Sequence, residues 1–151
     1  MRDIINNYTF PNIFKVLELS GKDIKLAIER SASYFDLVNN EITVSADFLE
    51  PKPQHFNYVI FAGIQYTIHV NRLYGERVSD LYFNGTPLQE EQLYTICVNN
   101  YRAVGGGNYN MYANKPILKD IQIEGAQLLI DYLSHNDLFQ ISQVVDFKVV
   151  K

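Results

Sequence analysis

Apolar residues in this chain keep no single rhythm for long, and that limits its possible folds more than any other feature. Ile64, Tyr66, Ile68 and Val70 alternate with polar residues, the period of two that a strand with one buried face requires. Ile24, Ala27, Ile28, Ser31 and Phe35 instead recur at three- and four-residue steps, the period of a helix that buries one stripe. Such runs are short and interleaved. No window approaches ~18 uninterrupted apolar residues, so no membrane-spanning helix is expected.

The remaining elements follow the same logic. Ile13–Leu19 is a short apolar run with charges at Lys15 and Glu18, read as a strand with one face mostly buried. Ser20-Gly21-Lys22-Asp23 opens the helix. A serine three residues before an acid is a capping box, in which each side chain satisfies a backbone N–H that the first turn leaves unpaired. Lys22, Asp23, Lys25, Glu29 and Arg30 fall on its other faces. From Asn39 to Pro53 the chain reads as looser, and Pro51 and Pro53 make Asp47–His55 extended and irregular. Val78–Phe83 is a strand that ends in Asn84-Gly85, a pair suited to a type I′ turn; Pro87 keeps the return arm short. Leu93–Val98, nearly all apolar or β-branched, is expected to be a central strand. Ala126–Leu133 reads as a helix burying Leu129, Ile130 and Leu133, and Val144–Val150 as a closing strand. The sum is one α+β (mixed α/β) domain over residues 1–151, a mixed sheet flanked by helices.

Composition excludes several classes. Twenty aromatics in 151 residues (eleven Tyr, nine Phe) and a net charge of −4 argue against disorder. Thirteen basic residues against seventeen acidic ones leave no basic stripe for a nucleic-acid duplex. The lone Cys97 excludes an internal disulfide, and within its apolar run it reads as a buried, inert thiol. Met1–Asn7 carries no apolar core of a signal peptide.

One segment is unlike the rest: Asn99-Asn100-Tyr101-Arg102-Ala103-Val104-Gly105-Gly106-Gly107-Asn108-Tyr109. Three successive glycines permit positive φ and a close approach to backbone. Tyr101 and Tyr109 bracket them, and three asparagines supply amide donors and acceptors. A planar, polar ligand such as a nucleobase suits these groups; so does a simple glycine turn with tyrosines packed on its back. Phosphate loops are excluded, because G-x-G-x-x-G fails at Asn110 and Gly21-Lys22 lacks an upstream glycine.

These residues resemble the C-terminal domain of 5′-nucleotidases, in particular the branch of bacterial 2′,3′-cyclic-nucleotide 2′-phosphodiesterase/3′-nucleotidases. Three further blocks are similar to that family in order and spacing: Tyr8-Thr9-Phe10-Pro11-Asn12 running into Val16–Ile24, His55-Phe56-Asn57-Tyr58 to Ile68, and Gly75-Glu76-Arg77-Val78 to Leu88. The resemblance implies a hydrolase of nucleotide catabolism. A separate N-terminal metallophosphoesterase domain would hold two divalent metal ions and hydrolyse the phosphate ester. This chain would bind the nucleoside or nucleotide, its base clasped between two rings. Tyr101 matches the aromatic that opens the glycine loop, Phe10 its partner in the cyclic-phosphodiesterase branch, and Phe61 the second ring of the 5′-nucleotidase branch. Asn100, Gly105, Gly106 and Gly107 would line the ligand. Gly107 stands where 5′-nucleotidases carry an aspartate on the ribose, a departure that points to the cyclic-nucleotide branch. Arg102 would meet substrate phosphate or pair with a neighbouring acid. By the same resemblance the parent would be extracellular, periplasmic or cell-wall-attached.

No catalytic centre is visible in the chain itself. His55, His69 and His135 are far apart and in no ligand-like spacing, so neither metal nor cofactor is expected within this chain. His69 reads as a sheet residue, His55 as surface loop and His135 as a helix end. An interaction module on the same fold, using Tyr109 and Tyr112 at a protein interface, is the alternative reading. Binding of single-stranded RNA is disfavoured by the acidic balance.

Overall fold

The computed structural model describes residues 10–135 and 146–151. Arg2, Tyr8, Thr9 and the first two residues of the predicted closing strand lie outside that range. Two compact units emerge, one built on Ser20–Leu93 with the C-terminal strand, the other on the N-terminal strand with the chain from Tyr94 onward.

In the first unit, helix α1 (Gly21–Ala32) starts where the capping box places it. Asp23 N–H donates to Ser20 Oγ at 3.2 Å, and Ser20 N–H donates to Asp23 Oδ2 at 3.1 Å. Gly21 has no room for a side chain: a Cβ there would lie 2.1 Å from the Gln89 carbonyl oxygen. The helix stops at Ala32, three residues before Phe35, which the helical spacing had included. Arg77 explains the stop. Its guanidinium, only 5% exposed, takes up the Ala32 carbonyl at 3.2 Å and the Phe35 carbonyl as well. Phe35 then begins a strand.

That strand, β2 (Phe35–Val38), pairs antiparallel with β3 (Glu41–Val44). The stretch expected to be loose therefore opens with a tight hairpin. Its corner is Asn39-Asn40, with φ of 51° and 64°; asparagine enters the left-handed region more readily than other side chains do. Short 3₁₀ turns at Ala46–Phe48 and His55–Asn57 interrupt the rest. The sheet of this unit holds β4 (Gln65–His69), β5 (Val78–Phe83), β6 (Thr86–Pro87) and β9 (Phe147–Val150), in the order β6-β5-β4-β9. β4 runs antiparallel to β5 and parallel to β9. Asn84 and Gly85 both have positive φ, 50° and 75°, as the expected turn requires. Tyr66, Ile68 and Val70 are buried in the core of this unit, as are Ile24, Ala27, Ile28 and Phe48.

Glu29 falls off the apolar stripe of the helix, yet it is not left in solvent. It is buried, and its carboxylate accepts the Arg77 N–H at 3.1 Å and the Val78 N–H at 2.8 Å. Arg30, a predicted surface charge, lays its guanidinium over the Phe48 ring at 4.4 Å.

The second unit is a three-stranded sheet in the order β7-β1-β8, from β1 (Ile13–Ser20), β7 (Leu93–Asn99) and β8 (Ile117–Glu124). Among the described residues β1 is central and β7 lies at the edge, where β7 was expected to be central. Apolar composition alone does not separate the two. Leu17 and Leu19 of β1 are fully buried, whereas β7 alternates between exposed and half-buried residues. Cys97 lies on the exposed face of β7 and is not buried as expected. Helix α3 (Gly125–Ser134) leaves Leu129, Ile130 and Leu133 half-buried.

Replacing Glu29 by alanine strands two buried N–H donors. At about 1–3 kcal/mol for each unsatisfied group, Glu29→Ala should cost the fold roughly 2–5 kcal/mol in equilibrium urea unfolding. A midpoint equal to wild type would show that those amides find other partners.

Candidate functional site

The glycine loop leaves β7 through one turn of helix, α2 (Asn100–Ala103). Asn99 caps it, its Oδ1 accepting the Arg102 N–H at 2.8 Å, the role that asparagine fills well at a helix start. The cap fixes the direction of the first turn, so Tyr101 and Arg102 leave it in different environments. Tyr101 is 45% exposed; Arg102 is 7% exposed.

The three glycines do different work. Gly105 and Gly107 have φ of 91° and 71°, values that a side chain resists. Gly106 is needed for space. A Cβ on it would sit 2.5 Å from Tyr101 Cε2, 2.6 Å from Cδ2 and 2.5 Å from the Tyr101 carbonyl oxygen. The close approach that glycine allows here is therefore made by the protein's own tyrosine. The Gly105 amide donates to the Arg102 carbonyl at 2.8 Å, and the Tyr109 amide to the Gly105 carbonyl at 3.1 Å, which closes the loop on itself.

Arg102 runs through the middle of this turn. Its Nη1 donates to the Gly106 carbonyl at 2.8 Å, and its guanidinium carbon lies 5.2 Å from the Tyr101 ring centre and 4.7 Å from that of Tyr109. Tyr109 and Tyr112 are stacked on each other, centres 5.7 Å apart and planes 17° from parallel. Both are buried, at 0% and 2% exposure. Of the two tyrosines that bracket the glycines, Tyr109 is thus packed away and Tyr101 is not, and the burial of Tyr109 and Tyr112 does not fit the interface role of the alternative reading. The Tyr112 hydroxyl and the Asn100 Oδ1 are both buried without a hydrogen-bond partner.

Of the other predicted site residues, Phe10 belongs to the same unit as Tyr101 and is 73% exposed, just ahead of β1. Phe61 belongs to the other unit and is 6% exposed, its ring edge-on to Tyr66 at 6.2 Å. The histidines all have partners: His69 Nε2 lies 2.8 Å from Ser79 Oγ, His55 Nδ1 2.8 Å from the Tyr34 hydroxyl, and His135 Nδ1 donates to the Asp131 carbonyl at 2.7 Å. Among the described residues no three His, Cys, Asp or Glu side chains come together as a metal site. A cavity of about 320 Å³ opens on the sheet of the Ser20–Leu93 unit, lined in part by Asp80, Tyr82, Asp146 and Lys148; no residue of the glycine loop borders it.

Residues 1–114 match the family described as 5′-nucleotidase, C-terminal domain. A Yersinia enterocolitica 2′,3′-cyclic-nucleotide 2′-phosphodiesterase/3′-nucleotidase is 32% identical over 126 residues, covering 70% of this chain and 18% of its own length. The trifunctional nucleotide phosphoesterase protein YfkN of Bacillus subtilis is 24% identical over 145 residues, 88% of this chain and 10% of its own. Among solved structures, a candidate 5′-nucleotidase from Staphylococcus aureus, in complex with alpha-ketoglutarate, superposes with a TM-score of 0.95 at 66% identity. That match covers all of this chain and 30% of the other. The chain therefore belongs to the 5′-nucleotidase C-terminal domain family, and spans a tenth to a fifth of the length of the curated relatives it matches.

Burial pushes the Tyr112 phenol above its ordinary value of 10.0; nearby Tyr109 adds to the rise and Arg102 opposes it. Folding then favours the neutral phenol. Stability should fall as the pH rises above 10, where the unfolded chain gives up this proton first. Tyr112→Phe, which removes a hydroxyl without a partner, should be neutral or stabilising at pH 7 and should flatten that decline in unfolding curves measured across alkaline pH.

Proposed function

We propose that this member of the 5′-nucleotidase C-terminal domain family is the nucleoside-binding part of a metal-dependent nucleotide phosphohydrolase. The parent activity is a 2′,3′-cyclic-nucleotide 2′-phosphodiesterase/3′-nucleotidase or a 5′-nucleotidase. Tyr101 presents a ring to the base and Phe10, of the same unit, is its partner; Phe61, buried in the other unit, is not built into this site. Asn100 and Gly105 to Gly107 border the ligand. The single observation that carries this reading is the contrast within the loop. Tyr109 and Tyr112 are buried, yet Tyr101, rooted in the same turn, keeps 45% of its surface in solvent.

The exposed ring and Phe10 suit a flat heterocycle, because an apolar face gains from stacking whatever the pattern of ring nitrogens. The metal ions implied by the family belong to an N-terminal metallophosphoesterase domain of the parent. The carboxylates and histidines described in this chain do not converge to hold them, so no hydrolytic step is assigned to its side chains. Its contribution is placement: holding base and sugar leaves the phosphate where another domain can act, and orientation of this kind is worth several kcal/mol of a barrier. The parent is placed outside the cytoplasm, in the periplasm, in the cell wall or in the medium.

The isolated chain should bind adenosine and uridine weakly in calorimetric titration, and Tyr101→Ala should lower that affinity by about 1–3 kcal/mol, the usual stacking contribution. Unaltered affinity would remove Tyr101 from the site, and no binding by wild type would remove the reading. With divalent metal added, the chain should leave 2′,3′-cyclic nucleotides intact; cleavage that tracks its concentration would contradict the division of labour.

A further inference from the structure

We propose that Arg102 is a positioning residue, which holds the glycine turn against Tyr101 so that the ring is preset for stacking, and that its charge does not contact the ligand's phosphate. The proposal rests on the nucleoside-binding reading and deepens it.

Three observations meet at this side chain. Arg102 is 7% exposed, too enclosed to reach out toward an anion in solvent. Its Nη1 donates to the carbonyl of Gly106, the residue whose bare backbone backs the Cδ2–Cε2 side of Tyr101. Its guanidinium lies within 5.2 Å of the Tyr101 ring centre and 4.7 Å of the Tyr109 ring centre, distances at which a cation is attracted to an aromatic face. One group thus links the buried ring, the turn and the exposed ring. Only a flat guanidinium can do all three at once, since it donates in its plane while offering its faces to π systems; an ammonium on a flexible stem cannot.

A ring already fixed in place forfeits less rotational freedom on binding, so presetting raises affinity without adding a ligand contact. The consequence differs from that of a phosphate-binding arginine. If Arg102 positions Tyr101, its loss weakens a nucleoside and its phosphorylated form by the same factor. If it met phosphate, the nucleotide alone would suffer and lysine would largely substitute.

The test is a double-mutant cycle on the 151-residue chain, with calorimetric titration of adenosine and of adenosine 3′-monophosphate. Arg102→Lys should weaken both about tenfold, and should have no effect in a Tyr101→Ala background. Gly106→Ala, which leaves Arg102 in place but pushes on the ring, should reproduce the loss for both ligands. Near-ultraviolet circular dichroism and tyrosine ring NMR shifts report whether the variants stay folded and whether the Tyr101 ring has moved. Loss confined to the monophosphate, or additive effects of Arg102→Lys and Tyr101→Ala, would overturn the positioning role. Should Arg102→Lys fail to fold, unchanged affinity in a folded Gly106→Ala would overturn it equally. Failure of the underlying reading looks different: wild type would then bind neither ligand, or Tyr101→Ala would bind as wild type does.

Discussion

A tyrosine ring pressed against a residue with no side chain is the contact on which the rest of the loop turns. Gly106 comes so close to Tyr101 that even a methyl group would overlap both ring and carbonyl. That closeness fixes where the turn passes, and the turn's path forces positive φ at Gly105 and Gly107. The Gly106 carbonyl then faces Arg102, and Arg102 in turn lies over Tyr109. The chain of dependence runs from one missing Cβ to a buried cation and a buried pair of stacked rings. Dispersion holds the rings and a charge-assisted hydrogen bond holds the turn, since a cation donating to a carbonyl makes a stronger bond than a neutral donor does.

The other unit solves a related problem with the same means. Burying a charge is costly unless its hydrogen-bonding capacity is met. Glu29 meets that condition with two backbone amides of the Arg77–Val78 segment, and Arg77 meets it with the carbonyls of Arg72, Ala32 and Phe35. Neither charge relies mainly on an opposite one: among the described residues the carboxylate that comes within ion-pair reach of the Arg77 guanidinium is Asp36, at 3.9 Å. In Glu29, Arg77 and Arg102 alike, a buried side-chain charge organises main chain. Each ends or aims an element, which is how a chain rich in short strands and turns is held to one arrangement.

Period and capping chemistry were legible in the sequence because they act locally. The alternation of Tyr66, Ile68 and Val70, the box at Ser20 and Asp23, and the Asn84-Gly85 corner depend only on residues a few positions apart. Strand order is not local, and there the reading went astray. Leu93–Val98 and Ile13–Leu19 are both short apolar runs, and only pairing decides that the second lies between two neighbours. The roles of Glu29 and Arg102 were not legible for a related reason: which backbone groups a charged side chain satisfies is decided only once the fold or the turn has brought them to it. The family resemblance rested on motif spacing and passed over these failures, since spacing survives when the tertiary role of a single residue is unknown.

The commitment of Arg102 to its own loop has a consequence for selectivity. A chain with seventeen acidic and thirteen basic residues has little long-range attraction for a nucleotide, and the cation nearest Tyr101 in sequence is turned inward. What the loop surface presents is the Tyr101 ring, the side chains of Val104 and Asn108, and the backbone around the glycines. On the nucleoside-binding reading proposed above, stacking would select a flat heterocycle at this loop and leave a distant phosphate unread. Discrimination among phosphate positions must then come from wherever the phosphate's charge is met, outside this loop. On that reading, the part that grips the base would not inspect the bond to be broken, which suits a parent that accepts more than one nucleotide.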